Sequence, residues 1–290
     1  MQSRIQLAKK DIESFFDDQL KEVFKTSELR DIFNNNNASW RLKKTETPAN
    51  FIRDLCKISN FKKVVLNFPN RTEVRYIWKD VSIYKVLMEI NPTCYFSHYT
   101  AMFFNGLTEQ IPKTIFLNTE QTPKVMDYVS DIEQKNIDTA FRNKSRETKN
   151  ITEYKEFKIY HLSGKFTNNL GVIEIEVPEI GKVRTTNIER TLIDITVRSI
   201  YSGGVFEVKK AYEFAKDKVS VNKLVSYLKK INYKYPYHQA IGFYLEKASY
   251  SQNQLNLVEE FERTLRFYLD YKMTDFVYDS KWNVYYPRGL

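Results

Sequence analysis

Residues 47–78, TPANFIRDLCKISNFKKVVLNFPNRTEVRYIW, decide how the first part of the chain reads. Thr47-Pro48 is an N-cap followed by proline at the first helical position. From there to about Ser59, Phe51, Ile52 and Leu55 fall on one face, while Asn50, Arg53 and Lys57 fall on the other. Lys63–Phe68 and Glu73–Trp78 are short β-rich runs separated by Pro-Asn-Arg-Thr, which predicts a hairpin directly after the helix.

Working back toward residue 1, the spacing of Ile12, Phe15, Phe16 and Leu20 predicts a helix over Leu7–Leu20. Thr26-Ser27-Glu28-Leu29 starts a second helix that points Leu29, Ile32 and Phe33, with Phe24 before them, at the core. Asn34–Asn37 ends it, because asparagine competes for backbone hydrogen bonds and tolerates left-handed turns. Three helices and a hairpin are the order of a winged helix-turn-helix, expected over residues 1–90.

The charge is uneven along the chain. Its formal net value is +9, yet residues 1–40 hold six Lys and Arg against seven Asp and Glu. Residues 41–79 hold ten bases against three acids. A winged helix seats a positive helix in the major groove and lays a basic hairpin along phosphates. On that reading Asn50 and Arg53 are the base-reading candidates. Lys43, Lys44, Lys57, Lys62, Lys63, Arg71 and Arg75 complete the DNA-binding set, with phosphate neutralisation as the role of the loop and hairpin cations.

Beyond a boundary near residues 80–95 a second domain, 91–290, is expected. Ile83–Ile90 and Ser97–Phe104 read as short helices. Lys113–Asn118, Phe157–Leu162, Val172–Val177 and Lys182–Thr185 read as strands, with a Lys- and Asn-rich stretch at 134–150. Ile188–Ile200, Val205–Lys216, Val221–Ile231, Tyr237–Ala248 and Leu255–Leu269 each carry an apolar stripe. The expected class is therefore α+β, a winged helix-turn-helix followed by a mixed α/β domain that ends in a helical bundle.

Composition narrows the function classes. A hydrophobic share of 42% suffices for a sizeable core. No window approaches the roughly eighteen uninterrupted apolar residues of a membrane span, and the first residues have no apolar signal core. Cys56 and Cys94 sit in apolar surroundings that suit reduced thiols, so a cytoplasmic location is expected. His98, His161 and His238 show no metal-ligand spacing, and no Gly-rich phosphate loop or nucleophile elbow is present, so neither metal nor cofactor is expected. Glu153-Tyr-Lys155 and Glu156-Phe-Lys158 have the Glu-x-Lys spacing of metal-dependent nucleases, but no partnering Asp on an adjacent strand is evident. A protein-interaction module with a basic face is the other alternative to a non-enzymatic DNA binder.

Three stretches carry a family resemblance: YFSHYTAMFFNGLTEQIPKTIF at 95–116, TNIERTLIDI at 186–195 followed by Ser202-Gly203-Gly204, and YHQAIGFYLE at 237–246. Together they resemble the AbiEi-type antitoxins, over roughly residues 5–290. The resemblance implies a transcriptional autoregulator of the type IV toxin–antitoxin class. Its winged helix would bind inverted repeats in its own promoter, duplex DNA being the partner. Its second domain would counter a nucleotidyltransferase toxin without a stable complex. Arg190, Asp194, Gly203 and Gly204 match that family's signature. Ile188, Leu192 and Ile195 point the same helix inward, so a structural pairing of Arg190 with Asp194 is the favoured reading.

Overall fold

The structure is a computed structural model that describes residues 3–123 and 132–290. It is mixed α+β and divides into two compact units. The first comprises the described residues up to Pro92 together with Thr152–Lys155 and Glu176–Val183. The second comprises the described residues of Thr93–Ile151, Glu156–Ile175 and Arg184–Leu290.

The first unit opens with α1 (Arg4–Leu7) and α2 (Lys9–Asp17), then β1 (Val23–Phe24), α3 (Thr26–Asn36) and α4 (Pro48–Ile58). β2 (Phe61–Phe68), β3 (Arg71–Trp78) and α5 (Ile83–Met88) follow. Local chemistry sets the helix starts. The Glu28 carboxylate accepts the Lys25 N–H at 2.7 Å, and Thr47 Oγ1 accepts the Asn50 N–H at 3.2 Å with Pro48 at the first helical position. The helices bury Ile12, Phe16, Leu29, Phe33, Phe51, Ile52 and Leu55 in one core with Phe61, Tyr76 and Trp78 of the hairpin. Phe16 is its hub, with ring centroids 4.5 Å from Phe61 and 5.4 Å from Phe24.

The long first helix predicted over Leu7–Leu20 is instead two short ones. The chain leaves helical conformation after Asp18, and Leu20 is fully exposed. Leu7 is exposed as well. The residues after it are drawn into β1, which pairs with β3 at Val23↔Ile77 and Phe24↔Tyr76. Sheet pairing of this kind is a long-range contact that helical spacing does not report.

The hairpin pairs Phe61↔Trp78 through Phe68↔Arg71, leaving Pro69-Asn70 as its two-residue turn. Side chains alternate across a strand, so Phe61, Lys63 and Val65 share a face with Val74, Tyr76 and Trp78. That face meets the helical core. Lys62, Val64, Leu66 and Phe68 share the opposite face with Arg71, Glu73, Arg75 and Ile77.

The second unit contains β4 (Tyr95–Phe96), α6 (His98–Phe104), β5 (Thr114–Glu120), α7 (Gln134–Arg142) and β7 (Phe157–Gly164), with parts of β6 (Ile151–Tyr154), β8 (Val172–Val177) and β9 (Gly181–Thr186). β5 pairs antiparallel with β4 and parallel with β7 from Thr114↔Lys158 to Glu120↔Gly164. β4 pairs parallel with β9 at Phe96↔Thr185.

A helical part follows: α8 (Ile188–Val197), a 3-10 turn at Ser199–Ser202, α9 (Val205–Ala215), α10 (Val221–Ile231), α11 (Tyr237–Lys247) and α12 (Gln252–Glu259). α8 is buried along most of its length and lies in the core with Leu192, Ile193 and Ile195, beside Val208, Leu224, Ile241 and Tyr244. Gly203 and Gly204 have φ of 80° and 87°, which a side chain would resist, and they turn the chain from the 3-10 segment into α9. Gly242 matters for a different reason. A Cβ there would lie 2.1 Å from the Trp282 ring, and Trp282 is fully buried.

One expectation fails in this unit. The helix predicted over Leu255–Leu269 ends at Glu259. Phe267–Tyr268 is then strand β10, in a small sheet ordered β10-β12-β11 with β11 (Phe276–Asp279) and β12 (Val284–Pro287). Phe267 pairs in parallel with Val284, a partner its own neighbourhood does not announce. The stretch 134–150 contains α7, which buries Ile137 and Phe141 one turn apart. Among the described residues no helix is long and apolar enough to cross a membrane.

Candidate functional site

Two places in the molecule gather polar chemistry, one in each unit. In the first, α4 buries Phe51, Ile52 and Leu55, so Arg53 and Lys57 stand exposed on the other side and Asn50 is half-buried at its edge. Positions 50, 53 and 57 are three and four residues apart, which places them along one stripe of the helix. Asp54 lies between the two cations, 3.1 Å from Arg53 Nε and 3.5 Å from Lys57 Nζ. The Arg53 guanidinium, hydrogen-bonded to it, holds the Asp54 carboxyl below its ordinary value. This pair is exposed, and its contribution to stability is small.

Lys43, Lys44 and Lys63 are exposed, and no carboxylate among the described residues pairs with them. Lys63 shares the helix-facing side of the hairpin with Phe61. Burial pushes the Cys56 thiol up, and Lys63 is close enough to oppose that shift, so this lysine stands beside α4. Lys62 projects from the other face and pairs with Asp80. Arg71, also on that face, pairs with Glu73 at 2.9 Å and lies 4.9 Å over the Phe68 ring.

Arg75 requires a correction. It was expected among the DNA-binding cations, but its side chain is buried. Nε and Nη2 donate to the Glu89 carbonyl at 3.0 and 2.8 Å, Nη2 also reaches the Ile90 carbonyl at 3.2 Å, and Nη1 meets Glu73 at 3.2 Å. The guanidinium satisfies backbone carbonyls just beyond α5, so its charge is committed inside the unit. The chain just beyond α5, which brings the Glu89 and Ile90 carbonyls over the guanidinium, is the reason.

In the second unit a cavity of about 1020 Å³ opens beyond the carboxyl ends of β5 and β7. Asn118 comes from β5 and Ser163-Gly164 from β7, while Arg190, Asp194 and Arg198 come from α8 and the residue after it. Lys230–Tyr233 close it from the end of α10, and Arg146–Thr148 from the segment before β6. The signature pair meets here. Arg190 Nε donates to Asp194 at 2.8 Å with both side chains buried, and Arg190 Nη1 donates to Thr167 Oγ1 at 2.9 Å and the Leu170 carbonyl at 2.8 Å. Burial acts to lower the Arg190 pKa, but Asp194 together with Tyr95 and Tyr233 reverses that shift and raises it. The signature glycines, by contrast, serve the turn before α9, and Gly203 does not line this cavity.

His98 also lines it, with φ of 51° at the start of α6, a conformation uncommon for a residue with a side chain. Its Nδ1 is 2.8 Å from Ser97 Oγ, and Nε2 has no hydrogen-bond partner among the described residues. Burial lowers its pKa to about 4, with Arg190 and Arg198 acting in the same direction and Asp194 opposing. His161 meets Thr119 Oγ1 at 2.9 Å, and His238 meets the Glu262 carbonyl at 2.8 Å. Glu153, Lys155, Glu156 and Lys158 are exposed at the β6–β7 turn. Among the described residues no three His, Cys, Asp or Glu side chains are grouped as metal ligands would be.

The sequence reading singled out Arg190 and Asp194 but not the cavity. Arg146, Lys165, Arg198 and Lys230 come from four separate segments, and nothing in their local spacing relates them.

No family model matches the chain, and no curated protein matches it. Its fold is similar to that in the crystal structure of the RV2827C protein from Mycobacterium tuberculosis, with a TM-score of 0.63 at 10% identity, covering 97% of this chain and 91% of that one. At such identity the similarity speaks to fold alone.

Proposed function

We propose that the first unit is a winged helix-turn-helix and that the chain is a cytoplasmic, non-enzymatic transcriptional repressor that binds duplex DNA at inverted repeats in its own promoter. The observation that carries this reading is the outer stripe of α4, Asn50, Arg53 and Lys57, presented on a helix whose other side is fixed by Phe51, Ile52 and Leu55. Lys43 and Lys44 precede that helix and Lys63 follows it, all three exposed and without a carboxylate partner among the described residues. Such cations release counterions when they meet phosphates. In this reading α4 enters the major groove, Arg53 and Asn50 reach base edges, and the lysines set register. Arg53 would exchange its contact with Asp54 for a base edge, the aspartate remaining as a partner for Lys57.

The resemblance to AbiEi-type antitoxins in residues 95–116, 186–204 and 237–246 supports a second role, relief of a nucleotidyltransferase toxin by the second unit. The test of the DNA role is retention of a labelled fragment carrying the chain's own promoter across a salt series. The logarithm of the affinity is expected to fall linearly with log salt, with a slope of roughly −0.9 per phosphate contacted. Absence of any shift at low salt would overturn the reading.

A further inference from the structure

We propose that the cavity of the second unit binds a small phosphorylated molecule of nucleotide size. The inference goes beyond the DNA-binding reading and is independent of it, since every lining residue belongs to the second unit.

Size sets the class first. A volume of about 1020 Å³ is at the upper end for small-molecule sites, which run to roughly 1,000 Å³, and far exceeds what one inorganic anion fills. Charge sets the chemistry. Five cations, Arg146, Lys165, Arg190, Arg198 and Lys230, line it against two carboxylates, Glu147 and Asp194. Asp194 is committed to Arg190, and Arg146, Arg198 and Lys230 have no carboxylate partner among the described residues. Three cations without a carboxylate partner lining one cavity suit a group with several anionic oxygens.

The floor of the cavity supplies an independent observation. His98 lines the cavity nine-tenths buried, with Nδ1 at Ser97 Oγ and no hydrogen-bond partner on Nε2 among the described residues. A ring nitrogen in that state can take a hydrogen bond from an arriving donor or acceptor. Its left-handed backbone is the kind of local strain that persists where surrounding structure holds a side chain for a purpose. Tyr201 and Tyr233 provide aromatic surface for the apolar part of such a ligand. The location, outside the carboxyl ends of parallel β5 and β7, is where sheets of this kind leave an open crevice.

The experiment is isothermal titration of the full chain with ATP, GTP and inorganic pyrophosphate. Saturable one-to-one binding of at least one nucleoside triphosphate is expected, with pyrophosphate competing. Because Arg146 and Lys230 are exposed, the double variant Arg146→Ala/Lys230→Ala should keep the unliganded melting temperature and weaken binding about 10-fold or more. Lys43→Ala/Lys44→Ala in the first unit should leave binding unchanged. The proposal is overturned if neither nucleoside triphosphate saturates, binding of pyrophosphate alone included, or if the Lys43/Lys44 variant abolishes binding while the cavity variant does not. A failure here would leave the promoter-binding test unaffected, and the reverse also holds.

Discussion

Arg190 and Asp194, one helical turn apart on α8, form a 2.8 Å ion pair with both side chains almost wholly removed from water. Four residues along a helix is the spacing at which side chains meet, so the pair follows from local sequence. Its burial follows from the tertiary packing that closes the second unit around α8.

Removing one member should therefore cost more than removing both. Asp194→Ala leaves the Arg190 charge buried without its carboxylate and is expected to destabilise by about 3–5 kcal/mol. Arg190→Met/Asp194→Leu, which leaves no charge behind, is expected to cost less. Denaturant unfolding of the three proteins checks this, and a double variant as unstable as the single one would refute it.

A second prediction concerns pH. His98 titrates at about 4 in the folded chain against an ordinary 6.5, so the unfolded chain binds more protons between those values. Stability should fall as pH drops through that window, by about 3 kcal/mol from this group alone. Arg190, Arg198 and Asp194 are the charges that act on it. His98→Asn, whose side chain tolerates a positive φ, should flatten the slope between pH 6.5 and 4. An unchanged slope would contradict the assignment.

Arg75 and Lys63 stand within the same hairpin and should behave oppositely. Arg75→Met orphans the carbonyls of Glu89 and Ile90 and is expected to cost about 2–4 kcal/mol of stability, with DNA affinity per folded molecule unchanged. Lys63→Ala, at an exposed site, is expected to stay within about 0.5 kcal/mol in stability while weakening DNA binding. Thermal unfolding paired with binding on the same samples separates the two.

Gly242→Ala tests the packing of Trp282. A methyl group 2.1 Å from the ring cannot be accommodated without movement, and overpacking of this kind costs about 1–3 kcal/mol. Circular dichroism melts should show a lowered midpoint for Gly242→Ala, and the loss it causes should be smaller when measured in a Trp282→Leu background. An unaltered midpoint would mean that α11 and the C-terminal sheet are looser than described.

Local sequence carried most of the helices. Thr47-Pro48 with Phe51, Ile52 and Leu55 is enough to place α4, because its cap and stripe are local chemistry. The strands of the hairpin were equally legible, but their faces were not. Arg75 and Lys63 look alike in a charge count, and only the contacts of Arg75 with the Glu89 and Ile90 carbonyls show that it is the covered one. Leu20 and the segment around Phe267 failed for the same reason, since pairing with distant strands overrode helical spacing. The cavity was least legible, being assembled from segments as far apart as Arg146 and Lys230.

The central claim is that cations in the first unit divide into base readers on α4 and phosphate contacts beside it. The most direct test measures the affinities of Arg53→Ala and Lys63→Ala for promoter and random duplexes at one fixed salt concentration. The account predicts that Arg53→Ala reduces the promoter-to-random ratio, by roughly 1–3 kcal/mol in promoter affinity, whereas Lys63→Ala weakens both duplexes alike and leaves the ratio intact. Equal losses of discrimination in the two variants, or none in either, would contradict it.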